Sequence, residues 1–227
     1  MLKNKKVILI SGTSSGIGKY LASKLSNKYI VVGFSRKGSK LKRSNYFDYK
    51  LDINNYKNMQ KIVTKIILKF KQIDILINNA GTNISSGNLF FVKKDFIEKT
   101  IKTNLTSTTL LTQEIIRHMI LNNSGKVINI GSSVSNLLPQ GESIYAASKA
   151  GLIVFSKILS KELKKFNITS NSISPFIVNT PIIKKIDKKK ISKILKENNK
   201  KKNKLIDIYN AVKKIINNNI NGKNLKI

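Results

Sequence analysis

The stretch from Lys5 to Gly18 constrains this chain more than any other. An apolar run, Val7-Ile8-Leu9-Ile10, ends in Ser11-Gly12-Thr13-Ser14-Ser15-Gly16-Ile17-Gly18 and passes straight into helical spacing at Ile17, Leu21 and Leu25. A strand, a glycine-rich turn and a helix in direct succession form the first leg of a βαβ unit. The alternation then continues along the chain. Apolar runs at 29–34, 46–51, 73–78, 126–130 and 168–174 predict further strands, and 225–227 predicts a short last one. Helical spacing covers 17–28, 56–70, 93–121, 144–166 and 184–219. Strands that alternate with helices pair in parallel, and their crossovers are right-handed. The expected fold is therefore α/β: an open, doubly wound parallel sheet with helices on both faces. No linker or repeat divides the chain, so one domain is expected over residues 1–227.

Composition removes several classes of function. The chain has no cysteine, which excludes disulfides, thiolate nucleophiles and thiolate metal sites. No grouping of His, Asp and Glu has metal-ligand spacing, and the single histidine, His118, reads as a surface residue late in a helix. The start, Lys5-Lys6-Val7-Ile8-Leu9-Ile10, mimics a signal peptide, but its apolar part is too short for one. No run approaches the roughly 18–20 apolar residues of a membrane helix. A soluble, cytoplasmic protein without a membrane partner is expected. The formal net charge of +32 invites a nucleic-acid reading. Yet only Arg36, Arg43 and Arg117 are arginine among the 43 basic residues. Readers of base edges favour arginine, whose planar fork pairs bidentately. The lysines are spread along the chain beside many Asn and Ile, as an AT-rich coding sequence would supply them. Nucleic acid is accordingly not the expected partner, although the field draws anions toward any cleft.

Two motifs carry chemistry. The spacing G-x-x-x-G-x-G at Gly12, Gly16 and Gly18 opens a helix, whose free N–H groups and partial positive charge suit a pyrophosphate. The second strand ends in Ser35-Arg36-Lys37, where a carboxylate would select NAD by binding the ribose 2′-hydroxyl. Arg36 suits a 2′-phosphate instead, so NADP(H) is favoured over NAD(H). Further on, Tyr145-Ala146-Ala147-Ser148-Lys149 puts a phenol and an ammonium one helical turn apart. The ammonium is expected to lower the tyrosine pKa and make it a proton donor and acceptor. Ser132, thirteen residues upstream, follows a strand and can meet Tyr145 at the carboxyl edge of the sheet.

With these residues in order, the chain resembles the short-chain dehydrogenase/reductase family in its single-domain, Rossmann-type form. Further motifs extend the resemblance to nearly the whole chain. They are Asp52-Ile53 after the third strand, Asn78-Asn79-Ala80-Gly81 after the fourth, Thr103-Asn104-Leu105, and the segment from Pro175 to Thr180. Within the family, the runs around Asn79-Ala80-Gly81 and Tyr145–Leu152 resemble 3-oxoacyl-[acyl-carrier-protein] reductases.

The resemblance implies a catalytic set of Asn104, Ser132, Tyr145 and Lys149. It implies cofactor contacts from Gly12, Thr13, Ser14, Ser15, Gly16, Ile17, Gly18, Arg36, Asp52, Ile53, Asn79, Ala80, Gly81, Tyr145, Lys149, Pro175, Val178 and Thr180. The implied reaction is hydride transfer between NADP(H) and a carbonyl or alcohol, with Tyr145 moving the proton, Ser132 holding the oxygen and Asn104 anchoring a water near Lys149. The substrate is a small molecule, a 3-oxoacyl thioester on a carrier protein or a small ketone or sugar. The family also implies a lid at about 181–204 and a homodimer or homotetramer. Residues 184–204 hold 11 lysines in 21 positions, which suits an acidic partner. Phe176 stands where the family usually has glycine, so either strain or a narrowed pocket is expected there. A second reading is a polyanion- or nucleic-acid-binding protein on a catalytically decayed scaffold; an intact Asn104/Ser132/Tyr145/Lys149 set argues against it.

Overall fold

A computed structural model describes residues 5–183, 188–199 and 201–227. Seven parallel strands form one sheet in the order β3-β2-β1-β4-β5-β6-β7. They are β1 Val7–Ser11, β2 Ile30–Ser35, β3 Tyr46–Lys50, β4 Ile75–Asn78, β5 Gly125–Ile130, β6 Ile168–Ser174 and β7 Asn224–Lys226. The helices are α1 Gly16–Leu25, α2 Tyr56–Phe70, α3 Lys94–Ile101, α4 Ser107–Leu121, the short α5 Val134–Leu137, α6 Ser143–Glu162, α7 Lys188–Glu197 and α8 Leu205–Asn217.

The period-two alternation of β1 divides the core. Ile8 and Ile10 point to one face, where α1 adds Leu21, Ala22 and Leu25 and α8 adds Val212 and Ile215. Val7 and Leu9 point to the other, under Met59, Val63 and Ile66 of α2, Leu111 and Ile115 of α4, and Leu159 of α6. Both faces of the sheet are covered, which is why its strands read as continuous apolar runs. Each fully buried Ile or Leu contributes roughly 1.5–3 kcal/mol.

Two helical expectations change in detail. The run 93–121 is interrupted by a π turn over Lys102–Thr106 that joins α3 to α4 and carries Asn104. Such turns are frequent at functional sites. The run 184–219 divides into α7 and α8. Between them Asn199 adopts φ +45 and the chain is drawn back by Asn203, whose N–H donates to the Ile177 carbonyl at 2.8 Å. Residues 184–187 lie outside the described residues. Phe176 carries no strain: it is absent from the residues of positive φ, and its N–H donates to Asn203 Oδ1 at 2.6 Å.

Strand order reverses between β1 and β4, and the two strand ends are stitched together there. Ser11 Oγ accepts from the N–H groups of Asn79 at 3.0 Å and Ala80 at 2.9 Å. The Asn79 side-chain amide returns two bonds, to the carbonyls of Ser11 at 2.9 Å and Gly12 at 3.2 Å. Ser11→Ala would leave both N–H groups without that acceptor. It should cost about 1–3 kcal/mol in urea unfolding, whereas Ser11→Thr should stay close to wild type.

Candidate active site

The crevice at the switch point is where an open α/β sheet binds its ligand. Here it is a cleft of about 570 Å³ that runs along the carboxyl ends of the strands. Its near end is the turn between β1 and α1. Gly12, Ser14, Ser15, Gly16 and Ile17 line it, and the first turn of α1 holds no acidic residue. Gly18 does not line the cleft; a Cβ there would run into the Gly12 carbonyl and the Asn79 amide, so glycine lets α1 close onto the turn. Thr13 also stands behind the turn, fully buried, with its hydroxyl 2.9 Å from the Tyr46 oxygen. Tyr46 in turn donates to Asp48 Oδ1 at 2.8 Å, and burial pushes its phenol up to about 12. Both predicted contacts therefore support the cradle from outside it.

Ser35, Arg36, Lys37, Asp52, Ile53 and Asn54 continue the cleft. Arg36 and Lys37 are exposed on the rim, and the Ser35 hydroxyl is buried without a hydrogen-bond partner among the described residues. The Asp48 carboxylate is turned away to cap the Ser39 N–H at 2.8 Å. This end therefore presents the Arg36 and Lys37 cations on the rim, beside the lining residue Asp52, and the two cations suit an extra phosphate. Lys99 of α3 lines the same end, one turn before Thr103, which accepts from Asn54 Nδ2 at 3.0 Å.

Deeper in, Ser132 follows β5 while Tyr145 and Lys149 stand on one face of α6. The Ser132 hydroxyl, which accepts from the Val134 N–H at 3.3 Å, lies near enough to the half-buried Tyr145 phenol to pull its pKa down. Lys149 Nζ is buried, donates to the Ile130 carbonyl at 2.7 Å and lies 6.0 Å from the Tyr145 ring centroid. The expected lowering of the tyrosine pKa is not found in this state. Desolvation, with Glu142 adding to it, pushes Tyr145 up to about 12, against a smaller downward pull from Ser132. Burial brings Lys149 down to about 8. Both groups are driven toward their neutral forms because the cleft wall is poor in water.

Asn104 is fully buried and does not line the cleft. Its Oδ1 accepts from the Thr82 N–H at 2.8 Å, and its Nδ2 donates to the Thr82 carbonyl at 2.9 Å and to Ser148 Oγ at 3.0 Å. It ties the loop after β4 to α6 between Tyr145 and Lys149. Gly81 fits into this junction: a Cβ would lie 3.3 Å from Asn104 Oδ1 and 3.6 Å from Lys149 Nζ.

Asn79, Ala80, Gly81, Pro175, Val178 and Thr180 all line the cleft. Its far end is apolar. Phe176 and Ile177 pack there against Ile191 and Ile194 of α7, with Leu137 and Ile183 alongside. Among the lining residues that sequence reasoning did not single out is Glu142, which immediately precedes α6 and is 3% exposed. An acidic residue at a helix start reads as a cap, and only the fold reveals that it faces the cleft beside Tyr145. His118 is remote from this cleft, on the exposed side of α4 near the Lys71 carbonyl. The described residues contain no group of three or more metal-type ligands and no helix long and apolar enough to cross a membrane.

A switch-point cleft that opens on a glycine-rich turn and closes on Ser132, Tyr145 and Lys149 defines an oxidoreductase. The profile described as short chain dehydrogenase matches residues 6–191, and the chain belongs to that family. It is 36% identical to the 3-oxoacyl-[acyl-carrier-protein] reductase FabG of Buchnera aphidicola subsp. Baizongia pistaciae, over 86% of this chain and 82% of that protein. With the Escherichia coli K12 protein of the same name identity is 35%, covering 77% of this chain and 74% of the relative. Among solved structures, ElxO with NADP bound superposes with a TM-score of 0.83 at 26% identity, covering 99% of this chain and 97% of that one. The fold also matches the 3-ketoacyl-(acyl-carrier-protein) reductase from Brucella melitensis complexed with NADH, with a TM-score of 0.89 at 22% identity, over 98% of this chain and 96% of that one.

The buried ammonium has a measurable signature. Folding lowers the Lys149 pKa from 10.5 to about 8, so between those values the unfolded chain binds more protons and stability rises with pH. Lys149→Met should be more stable than wild type at pH 7 by up to about 3 kcal/mol. That gap should close by about pH 10.5 in urea unfolding of both proteins.

Proposed function

We propose that this chain is an NADPH-dependent carbonyl reductase whose substrate is a 3-oxoacyl thioester presented by an acyl carrier protein. One observation carries the reading. The Ser132–Tyr145–Lys149 group lies in a single cleft between a phosphate-type cradle and an apolar pocket. The named activity of the curated relatives supports the choice of substrate. The exposed Arg36 and Lys37 support NADPH over NADH. The polyanion-binding alternative gains nothing from the relatives, and its required loss of site residues has not occurred.

NADPH, when bound, supplies the hydride. The glycine-rich turn and the start of α1 hold its phosphates, Arg36 takes the additional one, and Lys149 takes ribose hydroxyls. Ser132 holds the substrate carbonyl oxygen by a hydrogen bond. Tyr145 gives that oxygen its proton as negative charge develops there. In the cleft by itself, burial holds the Tyr145 phenol in its protonated form, up to about 12. Asn104 acts as a positioning residue by holding Thr82 and Ser148 around this group. The apolar end takes the acyl chain, and α7 folds Ile191 and Ile194 over it. The lysines of α7 suit an acidic carrier protein at the mouth. Val154 and Ile158 form an exposed apolar stripe on α6, which supports a homo-oligomer through that helix.

The test is NADPH oxidation measured side by side with an acyl-carrier-protein 3-oxoacyl thioester and with small ketones. Higher kcat/KM for the thioester is expected; turnover of ketones alone would replace the substrate assignment. Tyr145→Phe should lower kcat by about 10²–10⁴-fold while NADPH still binds. Arg36→Asp should move the NADPH/NADH preference toward NADH by about tenfold or more, read from kcat/KM with each.

A further inference from the structure

The π turn over Lys102–Thr106 is braced from two sides, and the braces reach different ends of the cleft. Ser107 closes the turn: its N–H donates to the Lys102 carbonyl, five residues back. Thr108 Oγ1 donates to the Thr103 carbonyl at 3.2 Å, again five residues back. Within the turn, Thr103 and Asn104 face different neighbours. Asn104 holds Thr82 and Ser148 at the catalytic end. Thr103 Oγ1 accepts from Asn54 Nδ2 at 3.0 Å, and the Ser107 hydroxyl donates to Asn54 Oδ1 at 2.8 Å. Both the nitrogen and the oxygen of the Asn54 side chain therefore serve this helix. Asn54 itself stands in the loop after β3, where its N–H donates to Asp52 Oδ1 at 2.9 Å, and it lines the cleft at the end of Arg36 and Lys37. Ser107 is 2% exposed and does not line the cleft.

We propose that Asn54 is a positioning residue for the reaction: together with Ser107 it fixes the register of the π turn, and thereby the placement of Asn104 against Thr82 and Ser148. The inference rests on the reductase reading and adds a residue to it. A π turn is rare and occurs mostly as a single turn inside an α-helix. It takes one residue more than an α turn, so relaxation to α pairing would rotate one side of the helix by one residue, about 100°. Asn104 would then swing away from Thr82 and Ser148. The three hydrogen bonds it makes there bind the loop after β4 to α6 between Tyr145 and Lys149. Asn54 is anchored outside the helix, so its bonds to Thr103 and Ser107 resist that rotation. One turn of helix thus joins the wall that bears the two cations to the group that moves the proton.

The experiment uses the full chain with NADPH and two carbonyl probes, a 3-oxoacyl thioester of an acyl carrier protein and a simple 3-oxo ester. Ser107→Ala removes the hydroxyl without altering the cleft wall. It should lower kcat by about 3–10-fold and leave the NADPH Kd unchanged. Asn54→Leu removes both bonds and should lower kcat further. Asn54→Asp keeps an acceptor for Ser107 and offers the Thr103 hydroxyl an acceptor in place of a donor, so at saturating NADPH its kcat should stay near wild type. Hydrogen exchange of the Thr82 N–H, which donates to Asn104 Oδ1, supplies a readout independent of turnover. Relative to the amides of β4 it should quicken by about tenfold in Ser107→Ala and Asn54→Leu and stay slow in Asn54→Asp. A merely structural role would lower the urea midpoint while kcat of the folded enzyme and the relative exchange of Thr82 kept their wild-type values; that result would overturn the inference. A lower kcat with unchanged Thr82 exchange would also overturn it, because the effect would bypass Asn104. So would faster exchange with unchanged kcat, since the link would then have no consequence for the reaction. If Asn54→Leu does not fold, Ser107→Ala decides alone. If wild type reduces neither probe, the reductase reading fails, and Thr82 exchange still decides whether Asn54 and Ser107 hold Asn104 in place.

Discussion

The stitch between the ends of β1 and β4 is the constraint on which the site depends. A parallel sheet that reverses its strand order leaves a crevice there, and its two walls would be free to splay. Ser11 and Asn79 close it with four hydrogen bonds across 67–69 residues of sequence. Everything ligand-facing hangs from that junction. The glycine-rich turn sits on one side of it, and Ala80 and Gly81 lead from the other side to Lys149. Because the Ser11 hydroxyl and the Asn79 amide nitrogen serve the backbone, the pair shapes the cradle from behind.

Burial governs the chemistry as much as residue choice does. A tyrosine and a lysine one turn apart in water would make a phenol somewhat more acidic. In this cleft the loss of solvent dominates, raising Tyr145 to about 12 and lowering Lys149 to about 8. The lysine compensates through the Ile130 carbonyl rather than through the phenol. The protein therefore stores a protonated donor next to a cation that is easily neutralised.

The large positive charge resolves into separate roles by location. Arg36, Lys37 and Lys99 border the cleft, Lys149 is buried within it, and α7 carries several lysines on a helix whose isoleucines close the apolar end. Many remaining lysines are simply solvated.

Local patterning determined the alternation of strands and helices, the glycine-rich turn and the identities of Ser132, Tyr145 and Lys149, because these depend on neighbours within a turn or a strand. Three things needed the tertiary structure. The π turn at Asn104 arises within an otherwise unbroken helical pattern, and the partners that make it useful, Thr82 and Ser148, are 22 and 44 residues away. Thr13 and Gly18 belong to the turn by sequence, yet packing against Tyr46 and Asn79 places them behind the cradle. Glu142 reads as a helix-start residue until the fold turns it into the cleft, where Asn83 and Ser86, 59 and 56 residues away, hold it. Short-range spacing thus named the reacting groups, while contacts between distant segments decided their burial, their proton affinities and the charge that surrounds them.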